Sequence, residues 1–256
     1  MTGARFLSFC MAAWAMLTAA CSLTTRPQRY QDFQTTAVLS ESETLIIGFI
    51  GGREDWDSEK EGVRRLALDL RSRNIPNVHV ETVENKQRSL ALQLIQNVFD
   101  RDRNGSLDVS ELQSVRIILY GQSFGGAAVV KAAGELKKKD IPILLTVQID
   151  SVGRNDAVIP DNVKAAANLF QRNGKVIRGE PVIRAEEPSK TRILGNFEFD
   201  YRKKNIDLSH VSFWKKLFRT DHTKMNFDPD VWKKVEELIL EALSSFGNTP
   251  AEGGPP

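Results

Sequence analysis

The fold is decided by the stretch Val115–Tyr120 (VRIILY) and the turn that follows it, Gly121-Gln122-Ser123-Phe124-Gly125-Gly126. The apolar run predicts a buried β-strand, and Ala127–Lys139 predicts a helix. Gly-x-Ser-x-Gly between a strand and a helix places Ser123 on a strained, tight turn, where glycines avoid the collisions that side chains would make. The Ser123 hydroxyl would then project above the sheet edge, where the backbone N–H of Phe124 can help to hold an oxyanion.

Strand-like and helix-like segments alternate on both sides of this turn. Further strands are predicted over Thr44–Phe49, Val78–Val83 and Ile141–Ile149, with weaker ones over Val176–Arg178 and Arg192–Phe199. Helices are predicted over Ser58–Arg73, Ser89–Phe99 and Asn162–Gln171, and a last helix has Asp228 as N-cap and Pro229 in first position. Such alternation, with strands apolar on both faces, predicts an α/β fold with a mostly parallel sheet flanked by helices.

With these features the chain resembles the α/β-hydrolase superfamily from about Thr44 to Ser245. The resemblance implies a second oxyanion N–H from the loop after an earlier strand. The matching segment is Gly48-Phe49-Ile50-Gly51-Gly52, where Gly51 or Gly52 would let the backbone approach a substrate closely. A dinucleotide-binding turn is the alternative, but the Gly-x-Gly-x-x-Gly pattern is absent.

The resemblance also implies a chain order of serine, acid and histidine, with the histidine in the loop before the last helix. His222 lies six residues before the predicted N-cap Asp228 and fits that place. His210 is the alternative, and His79 lies in a predicted strand before Ser123.

The acid must be buried enough to accept the N–H of the imidazole. Asp150 ends the strand that follows the nucleophile strand, and Asp156 lies six residues further on, before a predicted helix start. Asp150 is the preferred acid, although many members of the superfamily place the acid one strand later.

A second motif spans residues 100–111, with the sequence DRDRNGSLDVSE. It reproduces the calcium-binding loop of the EF-hand: oxygen ligands at positions one, three and five, glycine at six, and glutamate at twelve. The predicted ligands, with Ser106 binding through its backbone carbonyl, are Asp100, Asp102, Asn104, Ser106 and Glu111. We expect the calcium ion to brace the segment that leads into the nucleophile strand rather than to take part in chemistry.

The first twenty residues predict an export signal. Phe6–Ala20 is an uncharged, mostly apolar run, shorter than a membrane span and typical of a secretory signal. Leu17–Cys21 (LTAAC) resembles a bacterial lipobox, which implies a lipid anchor on Cys21; simple cleavage nearby is the alternative. The predicted organisation is a signal peptide over 1–20, a tether over 21–40, a hydrolase domain over 41–246 and a disordered tail over 247–256.

Composition narrows the function further. The 256 residues carry 35 Lys+Arg and 33 Asp+Glu, a net charge of +2, which argues against a nucleic-acid binder. Two cysteines, Cys10 and Cys21, exclude a disulfide framework and a multi-cysteine zinc site. Together with the Ser123 turn and the superfamily resemblance, these features lead us to expect an exported serine hydrolase that acts on a small-molecule ester or thioester. The alternatives are an acyltransferase with the same residues, or a non-catalytic binding protein that calcium braces on a hydrolase scaffold.

Overall fold

The computed structural model describes residues 26–174, 177–209, 211 and 221–247 of the chain. Within these ranges the strands are β1 (Thr44–Ile50), β2 (Val78–Glu84), β3 (Ile117–Gln122), β4 (Ile143–Ile149), β5 (Val158–Ile159), β6 (Val163–Phe170), β7 (Arg184–Ala185) and β8 (Arg192–Glu198). The helices are α1 (Gly62–Ser72), α2 (Arg88–Phe99), α3 (Val109–Ser114), α4 (Phe124–Lys137), α5 (residues 221–227) and α6 (Pro229–Gly247).

Six strands form the main sheet in the order β2-β1-β3-β4-β6-β8, and every neighbouring pair is parallel. Strands β5 and β7 form a separate parallel pair. Because the main strands are parallel, their carboxyl ends all meet at one edge of the sheet. The predicted α/β class, with a mostly parallel sheet flanked by helices, is confirmed.

The sheet separates two hydrophobic cores. Helices α2 and α4 pack on one face with residues such as Leu94 and Val129. Helices α1 and α6 pack on the other face with residues such as Leu66 and Val235. Strands β1, β3 and β4 are buried along their whole length, which explains their continuous apolar sequences. Among the described helices, none is both long enough and apolar enough to cross a membrane.

The helix predicted over Asn162–Gln171 is wrong, because Val163–Phe170 forms strand β6. This segment contains three consecutive alanines, Ala165–Ala167, which favour a helix in isolation. Their small side chains are buried in an inner strand between β4 and β8, so tertiary packing overrides the local preference. Asp156 therefore does not precede a helix. Val176 in the predicted Val176–Arg178 strand lies outside the described residues, and residues 177 and 178 are not in a strand.

The segment predicted as a tether packs against the domain wherever it is described, from residue 26 onward. Phe33 and Leu39 are buried in the core, and the backbone N–H of Leu39 donates to the carbonyl of Val98 at 2.7 Å. The Gln28 side chain donates to the carbonyl of Thr82 in β2 at 2.9 Å. The prediction of a tether is therefore wrong for residues 26–40. A few isolated contacts anchor this segment, and they leave no periodic pattern in the sequence that would have indicated it.

The start of α6 is as predicted. Pro229 is its first residue, and the Asp228 carboxylate accepts the backbone N–H of Asp230 at 3.0 Å. This is the N-cap interaction that the Asp-Pro pair indicates. The predicted signal peptide, Cys21 and residues 248–256 of the predicted tail lie outside the described residues.

Candidate active site

Ser123 occupies the turn between β3 and α4 with φ 59° and ψ −124°. A positive φ is strained for a residue with a Cβ, so surrounding contacts must hold this turn. Its N–H donates to the carbonyl of Ile149 at 2.9 Å, and its carbonyl accepts the N–H of Val152 at 3.1 Å. The end of β4 and the loop behind it therefore fix the nucleophile turn.

The glycines around Ser123 are required by close backbone contacts. A Cβ on Gly121 would lie 2.5 Å from the carbonyl oxygen of Gly125. A Cβ on Gly125 would lie 2.0 Å from the carbonyl oxygen of Phe49 in β1. Gly126 is equally constrained, since its Cβ would lie 2.8 Å from the Cβ of Ser151. No side chain fits at these positions without moving the backbone.

His222, in α5, connects the serine to the preferred acid. Its Nε2 lies 2.9 Å from Oγ of Ser123, and its Nδ1 lies 2.6 Å from Oδ2 of Asp150. His222 and Asp150 are buried, whereas Ser123 is half-buried. The structure thus brings Ser123, His222 and Asp150 into one hydrogen-bonded chain at the carboxyl edge of the sheet.

Asp150 follows β4 with a positive φ of 42° and is wholly buried. The N–H of Gly179 donates to its Oδ1 at 2.8 Å, and Nε2 of Gln171 donates to its Oδ2 at 3.1 Å. A Cβ on Gly179 would lie 2.2 Å from Oδ1, so this approach needs glycine. Gln171 is itself held, since its Oε1 accepts the N–H of Gly174 at 2.7 Å. Sequence reasoning missed Gln171 and Gly179, because neither lies in a motif.

Asp156 and His79 have partners outside this hydrogen-bonded chain. Asp156 is buried and accepts the hydroxyl of Ser151 at 2.5 Å, which gives its carboxylate a partner other than a histidine. His79, at the amino end of β2, bonds Glu43 at 2.6 Å and lies at the opposite edge of the sheet from Ser123. His210 lies outside the described residues.

The predicted oxyanion groups lie on either side of the serine. Phe124, the next residue, begins α4, so its N–H is at the helix N-terminus. An added Cβ on Gly51 would be 3.1 Å from the Cβ of Ser123, which places the loop after β1 against the nucleophile. Nδ2 of Asn85 donates to the carbonyls of Ile50 at 3.0 Å and Gly52 at 2.9 Å. Asn85 therefore fixes the loop on both sides of Gly51, a role that the sequence did not indicate.

A polar cluster lies beside this site. The hydroxyl of Tyr201 donates to the buried carboxylate of Asp228 at 2.8 Å, and Nζ of Lys204 donates to the same carboxylate at 2.6 Å. Burial, the hydrogen bond to Asp228 and the charges of Asp228 and Asp150 raise the pKa of Tyr201. The phenol consequently stays protonated, and remains a donor, to a higher pH than an exposed tyrosine would.

The loop over residues 100–111 connects α2 to α3. Oxygen atoms of Asp100, Asp102 and Glu111 lie within 4.8 Å of one another, and Gly105 has a φ of +87°. The Glu111 carboxylate accepts the N–H of Arg101 at 2.6 Å and that of Asp108 at 3.0 Å. Asn104 and Ser106 are exposed, and the Ser106 hydroxyl donates to Oδ1 of Asn104 at 2.8 Å. The carboxylates thus converge, while backbone N–H groups of the same loop bind them.

Comparisons with known proteins give likenesses in structure alone. A cutinase-like protein from Cryptococcus sp. is similar over 81% of this chain and 98% of its own, at 15% identity and a TM-score of 0.43. An uncharacterized protein from Pseudomonas aeruginosa is similar over 61% of this chain and 40% of its own, at 12% identity and a TM-score of 0.38. The sequence matches no family model and no curated protein.

Proposed function

We propose that this protein is a serine hydrolase of the α/β-hydrolase type that cleaves a carboxylic ester or thioester. The observation that carries the proposal is the chain of hydrogen bonds from Ser123 through His222 to Asp150. A serine on a strained strand-to-helix turn, with an imidazole on its oxygen and a carboxylate on the far ring nitrogen, is the arrangement that activates a hydroxyl for acyl transfer.

In the proposed reaction Ser123 attacks the substrate carbonyl while Nε2 of His222 takes the hydroxyl proton. Asp150 accepts the N–H at Nδ1, which fixes the tautomer and stabilises the imidazolium. The N–H groups of Phe124 and Gly51 stabilise the oxyanion, and His222 then returns the proton to the leaving group. Water completes hydrolysis by attack on the acyl-enzyme. An alcohol in place of water would give the alternative acyltransferase reaction.

An active-site test separates an enzyme from a non-catalytic binding protein on the same scaffold. A fluorophosphonate probe should label the protein at Ser123, and labelling should disappear in Ser123→Ala but persist in the matched variant Ser89→Ala, whose serine is exposed on α2. Hydrolysis of p-nitrophenyl esters should fall by roughly a thousandfold or more in Ser123→Ala and in His222→Ala. Full activity in both variants, with unchanged circular dichroism, would overturn the proposal.

We also propose that the 100–111 loop binds calcium as a structural ion. The match to the twelve-residue pattern supports it, as do the convergence of Asp100, Asp102 and Glu111 and the sharp turn at Gly105. Helix α2 ends at Phe99 and α3 begins at Val109, so helices flank the loop on both sides, as they do in an EF-hand. When bound, the ion would neutralise carboxylate charge and fix the two helix ends relative to each other.

Export and a lipid anchor at Cys21 complete the proposal. The support is the uncharged run Phe6–Ala20 followed directly by Ala-Ala-Cys. In a bacterial host, labelled palmitate should be incorporated into the full-length chain and not into Cys21→Ser, with Cys10→Ser as the matched control. Incorporation that survives in Cys21→Ser would overturn the lipid anchor, and recovery of the unprocessed chain in the cytoplasm would overturn export.

A further inference from the structure

A groove of about 430 Å³ lies beside the nucleophile turn, between α4, the start of α2 and the loop after β4. Its lining includes the apolar side chains of Phe124, Ala127 and Val152, together with the polar side chain of Asn85. Its rim carries three cations, which are Arg88, Lys131 and Arg154. None of the described residues that line this cationic groove is acidic.

One end of the groove adjoins Ser123. Phe124 follows the nucleophile directly and is 49% exposed, and the N–H of Val152 donates to the Ser123 carbonyl. Phe124, Ala127 and Lys131 lie on one face of α4, because residues three and four apart share a face. At 1.5 Å per residue, Lys131 stands about 10 Å along the helix from Phe124. A ligand that extended from the nucleophile along this face of α4 would cross apolar surface and end at a positive charge.

The three cations of the groove have few carboxylate partners that would neutralise them. Lys131 and Arg154 are exposed, and among the described residues neither has a carboxylate within ion-pair distance. Arg88 contacts Glu135 at 3.5 Å, a long ion pair, and its Nε is buried without a hydrogen-bond partner. A chain with a net charge of only +2 thus places three cations along this groove, and only Arg88 has a carboxylate within ion-pair distance among the described residues.

We propose that this groove selects the substrate: it binds an ester whose apolar chain ends in an anionic group, a carboxylate or a phosphate. The inference rests on the proposed hydrolase function and names the substrate class of that same site. The apolar surface from Phe124 to Val152 accommodates the chain, and Arg88, Lys131 and Arg154 bind the anion. The interaction is electrostatic and partly exposed, so salt should weaken it.

The test compares matched esters that differ only at the far end of the acyl chain. Mono-p-nitrophenyl succinate, adipate, suberate and sebacate carry a terminal carboxylate, and the butyrate, hexanoate, octanoate and decanoate esters do not. For the wild type we expect kcat/KM to favour one of the longer anionic esters by roughly tenfold over its neutral partner, mostly through KM. High salt should remove the preference and leave hydrolysis of the neutral esters unchanged.

Charge reversal locates the effect in the groove. The double variant Lys131→Glu/Arg154→Glu should lose the preference for anionic esters and keep its activity on neutral ones. Lys138→Glu is the matched control, because Lys138 is an exposed lysine at the far end of the same helix. Equal kcat/KM for anionic and neutral esters in the wild type, or the same loss in Lys138→Glu, would overturn the inference.

A binding measurement separates this inference from the proposed function. In calorimetry, free suberate and octyl phosphate should bind the wild type more tightly than octanol does, and this difference should vanish in Lys131→Glu/Arg154→Glu. Whichever of these two anions binds more tightly shows whether the groove prefers a carboxylate or a phosphate. If neutral esters are hydrolysed and no anion binds, the anion-binding role of the groove is refuted and the proposed hydrolase function stands. Anion binding without hydrolysis of any ester would refute the hydrolase and leave the groove as an anion site.

Discussion

Asp150 and Glu111 are both carboxylates that the fold buries, with exposures of 0% and 3%, but they obtain their hydrogen-bond partners differently. Asp150 accepts from Gly179, from Gln171 and from His222, which are 29, 21 and 72 residues away in the chain. Glu111 accepts from Arg101 and Asp108, both in its own loop. One carboxylate is held by the tertiary fold, and the other is held by local structure.

This difference separates the proposed reacting centre from the proposed calcium-binding loop. Asp150 can orient His222 only if β4, the loop at Gly179 and α5 are all in place, so the site depends on the whole carboxyl edge of the sheet. The 100–111 loop needs only its own twelve residues and the helix ends beside it. Substitutions of Asp150 or its partners should therefore affect catalysis, whereas substitutions of the loop carboxylates should affect stability and leave catalysis unchanged.

The largest expected effect is on Asp150. Asp150→Asn preserves the size of the side chain but can leave His222 in the wrong tautomer, so kcat should fall roughly a thousandfold. Asp156→Asn is the matched control, because Asp156 is also buried but bonds Ser151 instead of the histidine. Steady-state kinetics on an ester, with melting curves of both variants, check this. A larger loss of kcat in Asp156→Asn than in Asp150→Asn would show that Asp150 is not the catalytic acid.

Two glycines test the same contrast at the level of stability. Gly125→Ala would push a Cβ to 2.0 Å from the Phe49 carbonyl, so we expect a loss of about 3 kcal/mol or more in the free energy of unfolding. Gly105→Ala meets nothing within 4 Å, and only its positive φ opposes the methyl group, which costs about 1–2 kcal/mol. Urea unfolding of both variants measures the difference. Equal losses would contradict the packing at the nucleophile turn.

Calcium should act on the loop and leave the reacting centre unchanged. A ligand that binds only the folded protein stabilises it by about 2.7 kcal/mol at a hundred times its Kd. Calorimetry in EDTA, then with calcium, should show a higher Tm, with a smaller effect of magnesium. Glu111→Gln should abolish most of this shift and leave kcat of the folded protein unchanged. An unshifted wild type would refute the ion, and a lower kcat without lower stability would place the ion in the active site.

Asn85 should have the smallest of these effects. Asn85→Ala removes the two bonds that hold the loop around Gly51, so the oxyanion group would lose some of its alignment. We expect kcat to fall about tenfold, or about 1.4 kcal/mol, with little change in KM. Asn85→Asp has the same size but cannot donate, and its charge repels the two carbonyls and the developing oxyanion, so its loss should be at least as large. A change in KM alone would assign Asn85 to substrate binding.

Local patterns predicted much of this molecule. Apolar runs located the inner strands β1, β3 and β4, and the glycine spacing located the turn at Ser123, because both signals depend on near neighbours. The prediction failed at β6, where three alanines favoured a helix and only the neighbouring strands made it a strand. Isolated residues such as Phe33 also gave no sign that the segment before β1 packs into the core.

At the candidate site, the sequence predicted the three residues that one chain of hydrogen bonds joins, and it missed the residues that hold them in place. Ser123, His222 and Asp150 came from a motif and from the resemblance to a superfamily. Gln171 and Asn85 follow strands that become neighbours of the site only in the folded sheet. The cationic groove was missed for the same reason, since Arg88, Lys131 and Arg154 come from three separate parts of the chain.

The segment that packs beside β2 has a consequence for aggregation. In the described sheet β2 is an edge strand, and the Gln28 amide takes the place of a neighbouring strand by bonding the Thr82 carbonyl and the Glu84 N–H. The N–H groups of Gln34 and Thr35 similarly bind the buried Glu81 carboxylate. A truncated chain that began at residue 41 would present an open strand edge, which other chains can extend into intermolecular sheet.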